Sequence, residues 1–582
     1  MPLALAVFAS DALSSVAYAT EEILLVLSTA GLAALHFSLP IAITITLLLA
    51  LLIASYRQTV HAYPDGGGSY LVARENLGTM PGLISAAALL IDYILTVSVS
   101  SAAGVAAVTS AIPALQGHKV AMGILFVAII AVANLRGVRE SGRVFAIPTY
   151  SFIFSLVLLI GVGLWRAARG LPAIEAPVGT LPETTHALTL FLLMRAFSSG
   201  CAALTGIEAI SNGVKAFKPP ETRHAAQTQV IMGCILGVFF LGITWLAHVF
   251  GIVPGAGQTV ISQLGHAVFG SGAAYFMLQA ATASILLVAA NTAFAGFPRL
   301  TSILANDRFL PRQLATLGDR LVYSNGILIL SAAAMLLLIV FQGETHALIP
   351  LYAVGVFLAF TLSQMGMVRR HLRVRDGAFR MHAALSAAGA VATGLALAVI
   401  AVTKFTHGAW IVVVLIPALV VSFLRTHRHY FYVRTQLSLI EMEPERPIRH
   451  TAIVPISAVN RATIFALRYA KSIAHEVEAV HVALDEKRAE MIQQQWKTWG
   501  GGVPLRLLES NYRSLIAPLV DHIDDLMQGR RRNEMVTVVL PEFVTAHWWE
   551  GLFHNQSAFL IKGALLFRPG VVVTSVPYHF KR

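Results

Sequence analysis

Three acidic residues stand inside otherwise apolar stretches of this 582-residue chain. They are Asp11, Asp92 and Glu208, and each has Ser, Thr or Tyr residues close by in the sequence. An acid at the centre of a bilayer costs about 2.5–3.5 kcal/mol on insertion scales, so it is a functional candidate by default. Carboxylate and hydroxyl oxygens are the ligands that hard cations prefer. The three acids therefore predict a site for an alkali cation or a proton.

The acid at position 92 is followed by hydroxyl residues at helical spacing. Asp92, Thr96 and Ser100 recur every four residues, which puts them on one face of a helix. An acid and two hydroxyls in line offer a stripe of oxygen ligands. The alternative is that the hydroxyls only bond the carbonyls four residues before them. The alignment of both hydroxyls with Asp92 favours the ligand stripe.

Residues 1–35 form an apolar segment that is long enough to span a bilayer but is interrupted by polar residues. The interruption contains an aspartate, two serines, a tyrosine and a threonine. Such a run makes a poor continuous helix, since Ser and Thr compete for backbone hydrogen bonds. We predict a spanning helix that is broken between residues 11 and 18 and faces a cavity. The alternative is that Asp11 caps a helix beginning at Ala12, at the cytoplasmic surface.

A second interruption falls in the sixth apolar segment, at residues 198–208, which read SSGCAALTGIE. Glycines, hydroxyl residues and Glu208 break its apolar character. Interruptions in spans one and six are expected from two inverted five-helix repeats, with the site between them at the midplane. We predict that spans one to five and six to ten are these repeats, with spans eleven and twelve appended.

Further polar residues in apolar segments are secondary candidates. Tyr352 follows Pro350 at the start of span ten and is placed to reach the same cavity. Tyr93 lies on a different helical face from Asp92. Arg195 either pairs with one of the acids or extends outward to the membrane surface. Acids that share one site resist joint ionisation, so at least one of them carries a proton at neutral pH.

The elements that position these residues follow from the composition. The chain is 56% hydrophobic and 12% charged, with a mean hydropathy of +0.70, which excludes a soluble globular protein and indicates a multi-span protein of the lipid bilayer. Apolar runs of about twenty residues predict an all-α domain with twelve spans. Their approximate extents are 4–33, 39–56, 82–112, 120–136, 144–166, 187–213, 228–251, 273–303, 324–341, 347–368, 382–402 and 409–425.

The net charge of +12 does not indicate a nucleic-acid partner, because the basic residues fall in alternate loops. The positive-inside rule then places those loops and both termini in the cytoplasm, in a plasma (inner) membrane protein. The basic set is Arg57, Arg74, Arg136, Arg139, Arg143, Lys215, Lys218, Arg223, Arg299, Arg308, Arg312, Arg320, Arg369, Arg370, Arg373, Arg375 and Arg380. The other loops carry Lys119, Arg166, Arg169 and Lys404.

The last third of the chain changes in composition. Residues 451–457, 479–484, 504–509 and 535–541 read as strands that alternate with helices, which is typical of a parallel α/β sheet. We predict a transmembrane domain at 1–427, a linker at 428–450 and a cytoplasmic α/β domain at 451–582.

A glycine-rich stretch, YPDGGGSY at residues 63–70, invites comparison with a phosphate-binding loop. No strand precedes it and no Lys-Ser/Thr pair follows it, so that context is missing. We interpret it as a tight turn at the cytoplasmic end of span two.

Three long motifs resemble those of the KimA-type potassium importers, which belong to the Kup group of the amino acid–polyamine–organocation superfamily. They are residues 8–22 (FASDALSSVAYATEE), residues 63–70 and residues 195–213 (RAFSSGCAALTGIEAISNG). The resemblance covers essentially the whole chain. It implies a leucine-transporter-like core with twelve spans and uptake of potassium together with a proton. It implies Glu208 for the proton, and for potassium the ligands Asp11, Tyr18, Asp92, Thr96, Ser100, Thr205 and Tyr352.

The same resemblance implies a cytoplasmic domain similar to universal stress proteins, which forms a homodimer and is inhibited by cyclic di-AMP. Nucleotide-binding members of that group carry a glycine-rich phosphate loop after the fourth strand. This chain instead reads LPEFV at residues 540–544, a departure that disfavours ATP binding at that place.

Two other functions remain open from the residues themselves. An amino-acid or polyamine permease would share the architecture. Asp11 would repel a substrate carboxylate, which disfavours an amino acid. The positively charged ammonium groups of a polyamine would also be attracted by acidic residues. A membrane-bound sensor would leave three intramembrane acids unexplained. No catalytic triad, zinc spacing or kinase motif stands out, so we predict that the chain is not an enzyme and needs no cofactor.

Overall fold

The computed structural model describes residues 5–580 apart from residues 7, 65, 67, 138–141, 176–186, 256, 319–321, 376, 439–447, 484, 511–513, 529–533, 546–549 and 551–556. The chain divides into two compact units, Met1–Leu437 and Ser438–Arg582. The first unit is helical, and the second holds all five strands of a sheet. The predicted order, a helical membrane domain followed by a parallel α/β domain, is confirmed.

The helices of the first unit follow the apolar segments of the sequence. They are α1 (Ser10–Ser14), α2 (Val16–Ser28), α3 (Ser38–Ala62), α4 (Ser69–Leu77), α5 (Thr79–Ala111), α6 (Lys119–Leu135), α7 (Gly142–Ala168), α8 (Leu190–Gly200), α9 (Ala209–Asn212), α10 (Glu221–Val249), α11 (Val260–Phe269), α12 (Ala273–Asn306), α13 (Ser324–Val340), α14 (Thr345–Val374), α15 (Phe379–Lys404) and α16 (Ala409–Gln436).

Ten helical segments in the described part of the chain are long and apolar enough to cross a membrane. The 17-residue helix α13 is apolar but shorter, and the first predicted span is divided between α1 and α2. Helix α16 continues to Gln436, past residue 427, where the sequence analysis ended the membrane domain.

Burial separates interior helices from peripheral ones. In α5 and α14 the most apolar stretch is 78% and 72% buried within the protein, whereas in α15 and α16 it is 28% buried. A helix that presents apolar residues to lipid needs no protein on that side, which explains the exposed apolar side chains of the peripheral helices. The interior helices α5 and α14 carry Asp92 and Tyr352, so these candidates lie where neighbouring helices surround them.

The second unit contains a five-stranded parallel sheet with the order β3-β2-β1-β4-β5. The strands and helices are β1 (Arg449–Pro455), α17 (Arg461–Ile473), β2 (Glu476–Ala483), α18 (Glu486–Trp499), β3 (Leu505–Glu509), α19 (Ala517–Met527), β4 (Glu534–Val544), α20 (Ser557–Leu565) and β5 (Val571–His579). Sequence analysis named four of these strands and missed β5, although the run Val-Val-Val-Thr-Ser-Val is rich in β-branched residues.

Both faces of the sheet are covered, as expected for parallel strands. Successive residues of β1 point to opposite faces, so Ala452 and Val454 join the apolar cluster of α17 and α18. Ile453 joins the opposite cluster, which includes Ile523 of α19 and Ile561 of α20.

The fourth strand explains the departure from nucleotide-binding universal stress proteins. Residues 540–544 are strand residues, and their pairing with β5 runs from Leu540 opposite Ser575 to Val544 opposite His579. A backbone engaged in a ladder cannot also curl around a phosphate. A phosphate loop of that kind is therefore not formed by residues 540–544.

We predict that Ile523→Ala destabilises the second unit by about 2–5 kcal/mol, because it leaves a cavity in a fully buried position of α19. Asp525→Ala changes an exposed residue of the same helix and serves as the control, with an expected effect within about 0.5 kcal/mol. Pulse proteolysis of the full-length protein in increasing urea measures both. Equal midpoints for the two variants would contradict this packing.

Candidate functional site

The first helix interruption is confined to Ser15, between α1 and α2. The Ser15 backbone stays near helical angles, with φ −61° and ψ −24°. Its hydroxyl donates to the Ala12 carbonyl at 2.6 Å and to the Ala203 carbonyl at 3.1 Å. Ser14 likewise donates to the Asp11 carbonyl at 2.8 Å. Serine hydroxyls thus donate hydrogen bonds to backbone carbonyls at the interruption, as the polar run predicted.

The second interruption is wider. Helix α8 ends at Gly200, and a 3-10 helix, Cys201–Leu204, follows it. Thr205 is extended, with ψ 153°, and Gly206 has a positive φ of 76°, which a glycine adopts readily. Helical structure resumes only at Ala209. The break predicted at residues 198–208 is therefore observed as an interruption of the α-helix between Gly200 and Ala209.

The second interruption touches helix α1, just before Ser15, at Gly206. A Cβ atom added there would lie 2.7 Å from the Ala12 amide nitrogen and 2.8 Å from Oδ2 of Asp11. Real Cβ atoms do not approach backbone so closely. The missing side chain of Gly206 is what lets the Asp11 carboxyl group rest against the second break.

The three intramembrane acids face one cavity of about 250 Å³. Asp11, Asp92 and Glu208 all line it, and so does Tyr93. Oδ1 of Asp92 is buried and has no hydrogen-bond partner among the described residues. An unsatisfied buried carboxyl oxygen is costly unless it has a ligand, so it marks a position where a cation or proton can bind.

Glu208 receives a partner that sequence analysis missed. The Ser69 hydroxyl donates to Oε2 of Glu208 at 2.6 Å, and the Tyr56 hydroxyl lies nearby. Ser69 is the first residue of helix α4. In the same helix, the Tyr70 hydroxyl donates to Oδ2 of Asp307, and Arg74 forms an ion pair with that oxygen. The glycine-rich stretch at residues 63–70 therefore presents a hydrogen-bond donor to the site.

The same stretch also packs against the end of the second break. Cβ atoms added at Gly66 and Gly68 would lie 2.9 Å from the Asn212 carbonyl oxygen and 2.5 Å from Asn212 Oδ1. Both glycines line the cavity. The turn predicted at this position is thus also a wall of the site, a role that only the folded arrangement reveals.

The remaining predicted ligands are buried and lie outside the cavity lining. The hydroxyls of Thr96 and Tyr352 are 3.0 Å apart, and Tyr18 approaches Thr205, whose hydroxyl donates to Ala202 at 2.9 Å. Ser100 is buried one turn beyond Thr96. Ser98, which lies between them in the sequence, donates to the Ile94 carbonyl four residues before it at 2.9 Å.

Arg195 does not meet the acids. Its Nη2 lies 2.8 Å from Nε2 of His407, in the 3-10 helix Phe405–His407. Of the two alternatives for Arg195, the pairing with an intramembrane acid is therefore not the one adopted. Tyr93 packs closely against Gly296 of α12 while lining the cavity.

Comparison with known proteins identifies the family of the chain. Residues 3–427 match the amino acid permease family, and residues 448–578 match the KimA potassium transporter C-terminal domain. The potassium transporter KimA of Bacillus subtilis strain 168 is 44% identical over 584 aligned positions, covering 100% of this chain and 95% of that protein. The chain therefore belongs to the KimA family of transporters. The predictions of a KimA-type transporter and of a non-enzyme are confirmed.

Solved structures give more distant matches. The manganese transporter of Eremococcus coleocola, crystallised with an aromatic bis-isothiourea compound, is 13% identical, with a TM-score of 0.43 over 75% of this chain and 96% of that one. A mutant of that transporter is 14% identical, with a TM-score of 0.39 and the same coverage.

We predict that Gly206→Ala lowers the stability of the full-length protein, because the added methyl group overlaps Asp11 and the positive φ costs a further ~1–2 kcal/mol. Gly161→Ala, in helix α7, is the matched control, since its Cβ would enter open space. Thermal unfolding in detergent should show a drop of several degrees for Gly206→Ala alone. A midpoint equal to that of the control would disprove the close approach.

Proposed function

We propose that this chain imports potassium ions together with protons through the cavity between the two helix interruptions. One observation carries the proposal: three intramembrane acids from separate segments face a single cavity, and one of their oxygens lacks a partner. A relative that matches along the whole chain is named a potassium transporter. Clustered acids attract a cation and repel a carboxylate substrate.

The proposed potassium ligands are all oxygens, as a hard cation prefers. The carboxyl groups of Asp11 and Asp92 supply negative charge at the cavity. Neutral oxygens come from the hydroxyls of the predicted ligands outside the cavity lining, which are Tyr18, Thr96, Ser100, Thr205 and Tyr352. The Thr96–Tyr352 hydroxyl pair joins α5 to α14, so a cation held there would contact two interior helices at once.

Glu208 is the proposed carrier of the coupled proton. It shares the cavity with Asp11 and Asp92, and three neighbouring carboxylates resist simultaneous ionisation. The hydroxyl of Ser69 donates to Oε2 of Glu208 and fixes the orientation of its carboxyl group. Entry of a proton with each potassium ion moves two charges inward, and each charge gains about 2.3 kcal/mol per 100 mV.

The proposed topology has twelve crossings. It adds the divided first span and α13 to the ten long segments, with spans one to five and six to ten as inverted repeats. Arginine and lysine bias in alternate loops supports cytoplasmic termini in a plasma (inner) membrane. The proposed domains are the membrane domain at 1–427, the linker at 428–450 and the cytoplasmic domain at 451–582.

The cytoplasmic unit is the proposed regulatory domain. Its match to the KimA C-terminal domain and the resemblance to universal stress proteins support a homodimer inhibited by cyclic di-AMP. Because residues 540–544 are in a strand, cyclic di-AMP would bind without the phosphate loop of ATP-binding relatives.

A permease for amino acids or polyamines is the second candidate, since residues 3–427 match the amino acid permease family. A polyamine is the more plausible of the two substrates, because its ammonium groups would suit the acidic cavity. Competition by spermidine, together with indifference to potassium, would favour this candidate.

We predict that Asp11→Asn slows potassium uptake about 10- to 100-fold, because an interaction with a charged group contributes ~1.5–3 kcal/mol. Uptake is measured in a potassium-import-deficient bacterial strain at acidic and alkaline external pH. Native uptake should rise in acid. Glu221→Gln, an acid at the start of α10 outside the cavity lining, is the control and should behave as the native protein. Absence of potassium uptake by native protein present in the membrane would refute the import proposal.

We predict that cyclic di-AMP stabilises the second unit, by about 2.7 kcal/mol at a hundred times its dissociation constant. Pulse proteolysis of the full-length protein in urea, with either cyclic di-AMP or ATP added, measures the shift. ATP should leave the midpoint unchanged. An equal response to both nucleotides, or to neither, would argue against the regulatory proposal.

A further inference from the structure

A second charged cluster lies away from the cavity, where α2 meets the start of α14. Nδ1 of His346 is 2.6 Å from Oε1 of Glu22, and Nε2 is 3.3 Å from Oε1 of Glu21. The two glutamate side chains are only 5% and 8% exposed, whereas the imidazole is 40% exposed. A histidine that bridges two buried acids is therefore open to proton exchange on its outer side.

The geometry favours the doubly protonated form of the His346 ring. A neutral imidazole has one N–H donor and one acceptor nitrogen, whereas the cation has two donors. Carboxylates only accept. Both ring nitrogens of His346 face carboxylate oxygens, so the arrangement suits the imidazolium, and loss of its proton would set a lone pair against one glutamate.

The cluster connects three helices, α2, α11 and α14. Glu21 also accepts a hydrogen bond from the Val260 backbone N–H, the first residue of α11, at 3.1 Å. Tyr18 lies one turn before Glu21 and Glu22 on α2, and Tyr352 lies on α14 with His346. The cluster thus ties together the two helices that carry the tyrosine ligands, on the side away from the arginine-rich loops.

Neighbouring charges make this cluster sensitive to one proton. Lys404, at the end of α15, lies near Glu22 and donates to the Ser199 hydroxyl. Of the other charged side chains nearby, Lys119 binds Glu344 at 2.8 Å, and Arg195 lies against His407 and keeps its positive charge. Lys404 balances the charge of one glutamate, and a proton on His346 balances the charge of the other.

We propose that His346, Glu21 and Glu22 form an external proton-binding site that latches α2, α11 and α14 together. Protonated His346 holds the outer ends of these helices closed over the cation site. An alkaline exterior removes the proton and releases the latch. The inference adds a second proton site to the proposed import cycle, and it rests on that function only for the role of closure in transport.

The latch itself is tested without transport. Hydrogen–deuterium exchange of the full-length protein in lipid nanodiscs is followed in peptides from Val16–Ser28 and Val260–Phe269, at about pH 6 and about pH 10.5. The alkaline value lies above ordinary histidine titration because the two carboxylates against the ring favour the imidazolium. Exchange rates are corrected for their intrinsic pH dependence. Native protein should exchange about tenfold more slowly at the acidic pH. His346→Asn should remove that difference, and His118→Asn, at an exposed outer histidine, should keep it.

A charge-rescue variant shows whether the effect of His346→Asn comes from loss of the latch or from misfolding. His346→Lys keeps a cation at both pH values, so slow exchange should persist in alkali. Equal pH dependence in native protein and His346→Asn would overturn the proposal, and so would rapid exchange in His346→Lys at both pH values.

Uptake assays distinguish failure of the latch from failure of the import proposal. His346→Asn should show a smaller acid stimulation than the native protein, because the drive from the coupled proton remains, and should retain its alkaline rate. Asp11→Asn is slow at both pH values. If native protein transports potassium and His346→Asn keeps its full acid stimulation, the latch is wrong and the import function stands. If native protein transports none, the exchange experiment still decides the latch.

Discussion

One close contact joins the two interrupted spans of the membrane unit: Gly206 lies against the Asp11 carboxyl group and the Ala12 amide nitrogen. An interrupted span leaves backbone groups that lipid cannot satisfy, so such a break survives only where protein or a polar cavity meets it. Here each break meets the other, and Ser15 adds a hydrogen bond to Ala203. Asp11 and Glu208 meet at one cavity because the interrupted spans that carry them must be close for the breaks to exist, and Asp92 reaches the same cavity from the unbroken helix α5.

Buried charge is handled differently in the two polar regions of the membrane unit. In the outer cluster, Glu21 and Glu22 meet His346 and Lys404, and their charges are largely balanced within the protein. Around the cavity the balance is incomplete, since Oδ1 of Asp92 has no partner in the described part of the chain. A fully paired cluster suits a structural or switching role, whereas an unpaired oxygen suits a ligand that comes and goes.

Residue type singled out the three acids that line one cavity, because an acid in an apolar span is rare and costly enough to stand out in a single sequence. Glycines and hydroxyls likewise marked the second break. Sequence reasoning missed Ser69 and His346, which act through partners more than a hundred residues away in the chain, a separation no local pattern encodes. It left the partner of Arg195 open for the same reason. Strand β5 was missed although its composition is typical of a strand.

The sheet order places β5 at an edge, beside the buried strand β4. An edge strand shields the backbone groups of its neighbour, and removing it would expose a row of unpaired amides and carbonyls along apolar residues such as Val538 and Leu540. The final stretch of the chain therefore protects the protein against intermolecular strand pairing. Ending the chain before Val571 would remove β5 and expose a surface prone to aggregation.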